Sequence, residues 1–141
     1  MSGVLLAVAA GVAIAIQVGL VGRAADRASS LAIAGFVQVG GAAAALLVIA
    51  VRGRWGDIGD AGVLAWAWIP AGICGTVIVS SLASASSQVG VATALGVSVA
   101  VQLAASLAWD QREGLVDRPL QALVGVALLS GGAWLVATAR A

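Results

Sequence analysis

Between positions 90 and 110 the chain reads GVATALGVSVAVQLAASLAWD, and every fourth residue of it, Gly90, Ala94, Ser98, Gln102, Ser106 and Asp110, is small or polar. Residues four apart stack on one helix face and drift by about 40° per step. The row is therefore a slowly winding stripe that runs from bare backbone at one end to a carboxylate at the other. The positions between are mostly Val, Leu and Ala, an apolar side far wider than a globular core needs. Such a helix makes sense as a membrane span whose single polar face looks at another helix or at a cavity. A second stripe precedes it: Trp68, Gly72, Thr76, Ser80 and Ser84 at the same spacing, with Gly75 beside them. A tight uncharged turn around 84–88 would make the two helices antiparallel neighbours whose stripes meet across a small polar gap. The competing possibility is that Ser and Thr bond back to the carbonyls of their own helix. Gln17 adds an amide to the first apolar run, where facing lipid would cost several kcal/mol without a partner. Its alternative use is an ordinary interhelical hydrogen bond.

Other chemistry is poorly supplied. The chain has no histidine and one cysteine, Cys74, deep in an apolar run where a small packing residue is the simpler reading. The loop RGRWGDIGDAG resembles a phosphate-cradling turn but lacks the Gly-Lys-Ser/Thr ending and a preceding strand. Asp57 and Asp60 are two carboxylates without further oxygen donors nearby, a weak basis for calcium. Asp60 suits the N-cap of the next helix better. No convergent carboxylate pair lies inside a span and no cofactor motif is present, so neither enzyme activity, cofactor nor metal is expected.

The elements that must carry the stripes follow from composition. Of 141 residues 62% are hydrophobic and 9% charged, and the mean hydropathy is +1.10, where soluble domains run near ~25% charged. Five uninterrupted apolar runs, 3–22, 31–51, 61–83, 89–109 and 120–138, each approach the ~20 residues a helix needs to cross a bilayer. The expected fold is thus all-α, one transmembrane domain over 1–141 with five spanning helices in the lipid bilayer. The first run is read as a true span, since no Lys or Arg precedes it and it exceeds the usual ~7–15-residue core of a signal peptide. Rows of small residues suited to close helix approach include Gly11 and Gly19 in the first span and Gly40 in the second, whose only strongly polar side chain is Gln38. Gly72, Gly75 and Gly90 are assigned the same packing role. Ser29 and Ser30 are positioned to cap the second span, Pro70 to kink the third, and Pro119 to open the fifth. Trp55, Trp66 and Trp109 fall toward one face and Trp134 toward the other, as interfacial belts would place them.

A net charge of +1 and scattered arginines exclude a nucleic-acid footprint. With five spans, Arg23, Arg27 and Arg140 lie on one side and Arg52, Arg54, Arg112 and Arg118 on the other. The Lys/Arg bias that fixes topology nearly vanishes. A chain of this kind can insert both ways, and the natural assembly is an antiparallel homodimer of ten spans about an axis in the membrane plane, or a pair with a homologous chain of opposite bias.

The span pattern, Gln17, Gly40, the Gly-rich third span and above all GVATALGVSVAVQLAASLAWD followed by Gly114 resemble the YdcZ-like family of five-span proteins in the drug/metabolite transporter superfamily. The resemblance covers nearly the whole chain, and Gln17, Gln102 and Asp110 match polar positions of that family. It implies an inner-membrane location, a dual-topology or paired arrangement and a transport role. The expected function is movement of a small solute by alternating access in an inverted dimer. Gln17, Thr76, Ser80, Ser98 and Gln102 would form the lining and Asp110 the entrance. A carboxylate well inside a span, as a proton-coupled cation exporter would need, is missing, which points to a neutral or zwitterionic solute. The alternatives are a non-transporting subunit packed against a larger membrane protein, and a small-ion channel built as a dual-topology dimer, for which the lone Phe36 is few phenylalanines.

Overall fold

The computed structural model describes residues 2–139, so Arg140 of the topology count lies outside the described residues. The described residues form an all-helical structure, 87% of them in helix. Its elements are α1 (Ser2–Ala25), α2 (Ser30–Val51), a short α3 (Gly56–Gly62), α4 (Ala65–Val89), α5 (Val91–Arg112) and α6 (Pro119–Thr138). Among the described residues five of these, all but α3, are long and apolar enough to cross a membrane. In lipid every backbone N–H and C=O must find its partner within the segment, and a helix does this by itself. Large apolar side chains accordingly face outward: Leu5 is 69% exposed, Phe36 80% and Leu120 79%. In water such a surface would aggregate; in a bilayer it is the solvated side.

Local signals set the ends. Ser29, extended at φ −64° and ψ 137°, caps α2 by accepting from the Ala32 N–H at 3.2 Å. Pro119 stands at the start of α6, where a missing N–H costs nothing. The α2 and α5 C-termini close alike. Gly53 (φ 66°) and Gly114 (φ 71°) turn left-handed. Arg54 N–H then reaches the Ile49 carbonyl at 3.0 Å and Leu115 N–H the Asp110 carbonyl at 2.9 Å, so orphan carbonyls at both ends are satisfied.

Three boundaries differ from the sequence reading. The stretch GDIGDAG forms α3, so the third span starts at Ala65 rather than 61, and Asp60 sits inside α3 instead of capping the spanning helix. Residues 84–88 are not a turn: α4 continues through them to Val89, because serine and glutamine near a membrane interface do not by themselves stop a helix. What stops it is Gly90, with φ 83° and ψ 157°, a backbone region open essentially only to glycine. Gly90 is therefore the break before α5, and the fourth span runs from Val91 to Arg112.

The chain forms two compact units, the described part of Met1–Gly19 with Ala85–Ala141, and Leu20–Ser84. The unit Leu20–Ser84 is centred on Val21, Ile33 and Ala83, with Ala25, Val37 and Val79 packed against them. Ser30 Oγ donates to Ser84 Oγ at 3.2 Å, tying the start of α2 to the later part of α4. In the other unit α5 and α6 pack closely enough that a Cβ added at Gly96 would lie 3.4 Å from the Ala133 Cβ.

Candidate functional site

In the Leu20–Ser84 unit, polar groups converge on one carbonyl of α4. Pro70, the sixth residue of that helix, has no N–H to give to the carbonyl four residues back. One short step further, the Gly72 carbonyl accepts from Thr76 Oγ1 at 3.1 Å and from the Gln38 amide of α2 at 3.4 Å. The Gln38 amide lies close over Gly75: a Cβ there would lie 2.8 Å from Nε2, and the amide would have to shift. Gln38 and Thr76 are both half-buried. Ser80 donates to the Val77 carbonyl at 3.2 Å. Thr76 and Ser80 of the α4 stripe thus bond carbonyls of their own helix, the simpler of the two behaviours open to them, and Gln38 brings an amide to the same stripe. The sequence marks Gln38 as the only strongly polar side chain of its span, but spacing along one helix does not name the carbonyl on another that it meets.

The α5 stripe behaves differently. Ser98 is half-buried, while Gln102, Ser106 and Asp110 are exposed. None of the four side chains has a hydrogen-bond or ion-pair partner among the described residues. Gln102 falls at the middle of Val91–Arg112, a helix about 33 Å long at ~1.5 Å per residue, which places the amide near the centre of a ~30 Å hydrocarbon layer. On another side of the same helix Thr93 Oγ1 is buried without a partner among the described residues. Beside the stripe, α5 and α6 leave an apolar groove of about 450 Å³ between Leu95, Gly96, Val99 and Leu128, Gly132, Val136.

Of the remaining predicted lining residues, Gln17 is half-buried in α1 and belongs with Ser98, Gln102 and Asp110 to one unit; Thr76 and Ser80 belong to the other. Among the glycines assigned to packing, Gly75 meets a neighbouring helix at close range. A Cβ at Gly11, Gly19, Gly40 or Gly72 would meet no described atom within 4 Å. Those rows are open on the chain's own surface.

Among the described residues charge lies at the ends of the five long helices and in the segments between them, α3 included. Arg23 lies in the last turn of α1 and Arg112 in that of α5, with Asp110 two residues before it. Asp57 is held by Arg54, Nε to Oδ2 at 2.9 Å, so this carboxylate is already paired. Among the described residues no group of three or more acidic, Cys or His side chains gathers where it could hold a metal ion. Cys74 is exposed on α4. What the spans offer at depth is uncharged hydrogen bonding: amides, hydroxyls and carbonyls. Those groups recognise a polar solute by shape and bonding, and would leave a net charge unpaired in a low-dielectric medium.

No curated protein and no solved structure matches the chain. A family model does, over residues 2–135, under the description "Putative inner membrane exporter, YdcZ". That match spans all five apolar helices but the last turn of α6. Five spanning helices with their charge at the ends, matched nearly end to end by that family's model, make this chain a multi-pass inner-membrane protein belonging to the YdcZ family.

Proposed function

We propose that the chain is one half of an inverted dimer that moves a small, uncharged or zwitterionic polar solute across the inner membrane by alternating access. The outward direction follows the family's description as an exporter. One observation carries the reading: α5 holds an amide and two hydroxyls at membrane depth with no partner among the described residues. An unsatisfied polar group in hydrocarbon costs several kcal/mol. A helix keeps such groups when something else bonds them, and a passing solute is that something. Gln17, Ser98 and Gln102, which belong to one unit, line the path in this reading, and Asp110 stands at its mouth. The open glycine rows are the surfaces on which one half rocks against the other, as in transporters built from inverted halves.

The test is flux. Purified protein in liposomes is screened against a panel of neutral and zwitterionic solutes. The Gln102→Leu variant, matched for expression and dimer content, loses about tenfold or more of the flux, equivalent to one or two neutral hydrogen bonds at ~0.5–1.5 kcal/mol each. Wild-type flux in that variant removes Gln102 from the path. No uptake of any solute by the wild-type protein identifies a non-transporting subunit instead.

A further inference from the structure

Read outward from Gln102, the polar edge of α5 is the same in both directions: a serine four residues before it, Ser98, and a serine four residues after it, Ser106. Gln102 is also at the midpoint of the helix. A helix with this pattern can lie against an inverted copy of itself with every polar group matched. Gln102 meets Gln102, and each Ser98 meets the Ser106 of the second copy. An amide both donates and accepts, so two of them across a two-fold axis can bond one solute between them, and each other when it is absent. The parallel alternative matches the same residues but brings the two Asp110 carboxylates together at one depth, where like charges repel. Inversion sets each Asp110 at the depth of the other copy's Ala94, which is buried in its own chain, and keeps the carboxylates at opposite ends.

We propose that the Ser98–Gln102–Ser106 edge of α5 is covered by the same edge of a second, inverted copy, and that the two Gln102 amides flank one shared site for an uncharged, hydrogen-bonding solute. The pairing of the edges rests on the inverted dimer proposed above, and the shared solute site on its transport role as well. Each copy supplies half of the site, so neither chain binds alone. The site's groups are two amides and four hydroxyls with no ionisable side chain among them. That set fits a solute carrying both donors and acceptors, such as a polyol or an amide, and disfavours a compact ion.

Cross-linking in native membranes tests the pairing without reference to flux. In a Cys74→Ala background, Gln102→Cys is treated with a short bis-maleimide. Ala104→Cys, an exposed α5 position on the far side of the helix from Gln102, is the control. Chains bearing Ser98→Cys and Ser106→Cys are co-expressed with different tags; both changes are nearly isosteric and guard against a folding defect at 102. The expected result is a dimer from Gln102→Cys several-fold above the control, a mixed dimer from the Ser98→Cys and Ser106→Cys pair, and little self-linking of either. The proposal is overturned if Ala104→Cys links as well as Gln102→Cys, if neither links, or if Ser98→Cys links to itself as readily as to Ser106→Cys. Links in the expected pattern with no solute flux leave the pairing standing and remove the shared site. Flux without those links removes the pairing and leaves the transport reading.

Discussion

Gly75→Ala is the smallest change that probes how α2 meets α4, and its magnitude can be worked from the contact. The added Cβ would lie 2.8 Å from Gln38 Nε2, where ordinary contact begins at 3.4 Å, so the amide must retreat by about 0.6 Å. Its hydrogen bond to the Gly72 carbonyl is already long at 3.4 Å, and a retreat of that size breaks it. Interhelical hydrogen bonds in membranes are worth ~0.6 kcal/mol on average and up to ~1.7. Against that loss, alanine is the better helix former by about 0.8–1 kcal/mol. The two terms nearly cancel, so the single variant is expected within about 1 kcal/mol of wild type and decides little. The double-mutant cycle with Gln38→Ala isolates the contact. In the Q38A background the clash is gone and Gly75→Ala is expected to stabilise, which makes the coupling energy about 0.6–1.7 kcal/mol. The assay is reversible unfolding of the four proteins in mixed micelles by titration with SDS, followed by circular dichroism. If Gly75→Ala shifts the midpoint equally with and without Gln38, the amide does not sit over Gly75 and the account of the α2–α4 contact is wrong.

Gly90→Ala forces a side chain onto φ 83° and ψ 157°, and is expected to cost about 1–3 kcal/mol in the same unfolding assay. Gly35→Ala, which adds a Cβ into open space on α2, should be neutral or slightly stabilising, and a Gly90→Ala midpoint no lower than the Gly35→Ala one would contradict the break between α4 and α5. Ser30→Ala removes the 3.2 Å bond to Ser84 and is expected to lower stability by about 0.6 kcal/mol; a loss beyond about 2 kcal/mol would mean that more than one bond depends on it.

The five spans are legible because lipid demands long, uncharged, self-satisfied helices, and runs of Val, Leu, Ile and Ala of the right length announce them. Ser29 and Pro119 announce two of the helix starts for the same local reasons that hold in water. The boundary near residue 90 is less legible. Polarity suggests a turn at Ser84–Gln88, whereas the deciding quantity is a backbone angle at Gly90 that composition does not reveal. α3 is hidden for a related reason, since GDIGDAG is rich in the residues that usually mark loops. The candidate site is legible only as two stripes of equal spacing. Nothing in that spacing distinguishes α4, where Thr76 and Ser80 turn back to Gly72 and Val77, from α5, where Ser98 and Gln102 do not. That difference is set by side-chain geometry on each helix, and it moves the weight of the functional argument from a seam between α4 and α5 to the single edge of α5. The partner of Gln38 is a tertiary fact of the same kind.

The proposed inverted dimer requires copies of this chain to sit in the membrane in both orientations, so that the edges of α5 can meet inverted. Ala28→Cys, in the exposed loop between α1 and α2, in a Cys74→Ala background, leaves every arginine in place and reports this directly when intact cells are treated with a membrane-impermeant maleimide and compared with lysed ones. The near-even split of arginines between the two faces predicts that about half of the protein is labelled from outside. Labelling of nearly all of it, or of almost none, would mean one fixed orientation and would contradict the inverted pair.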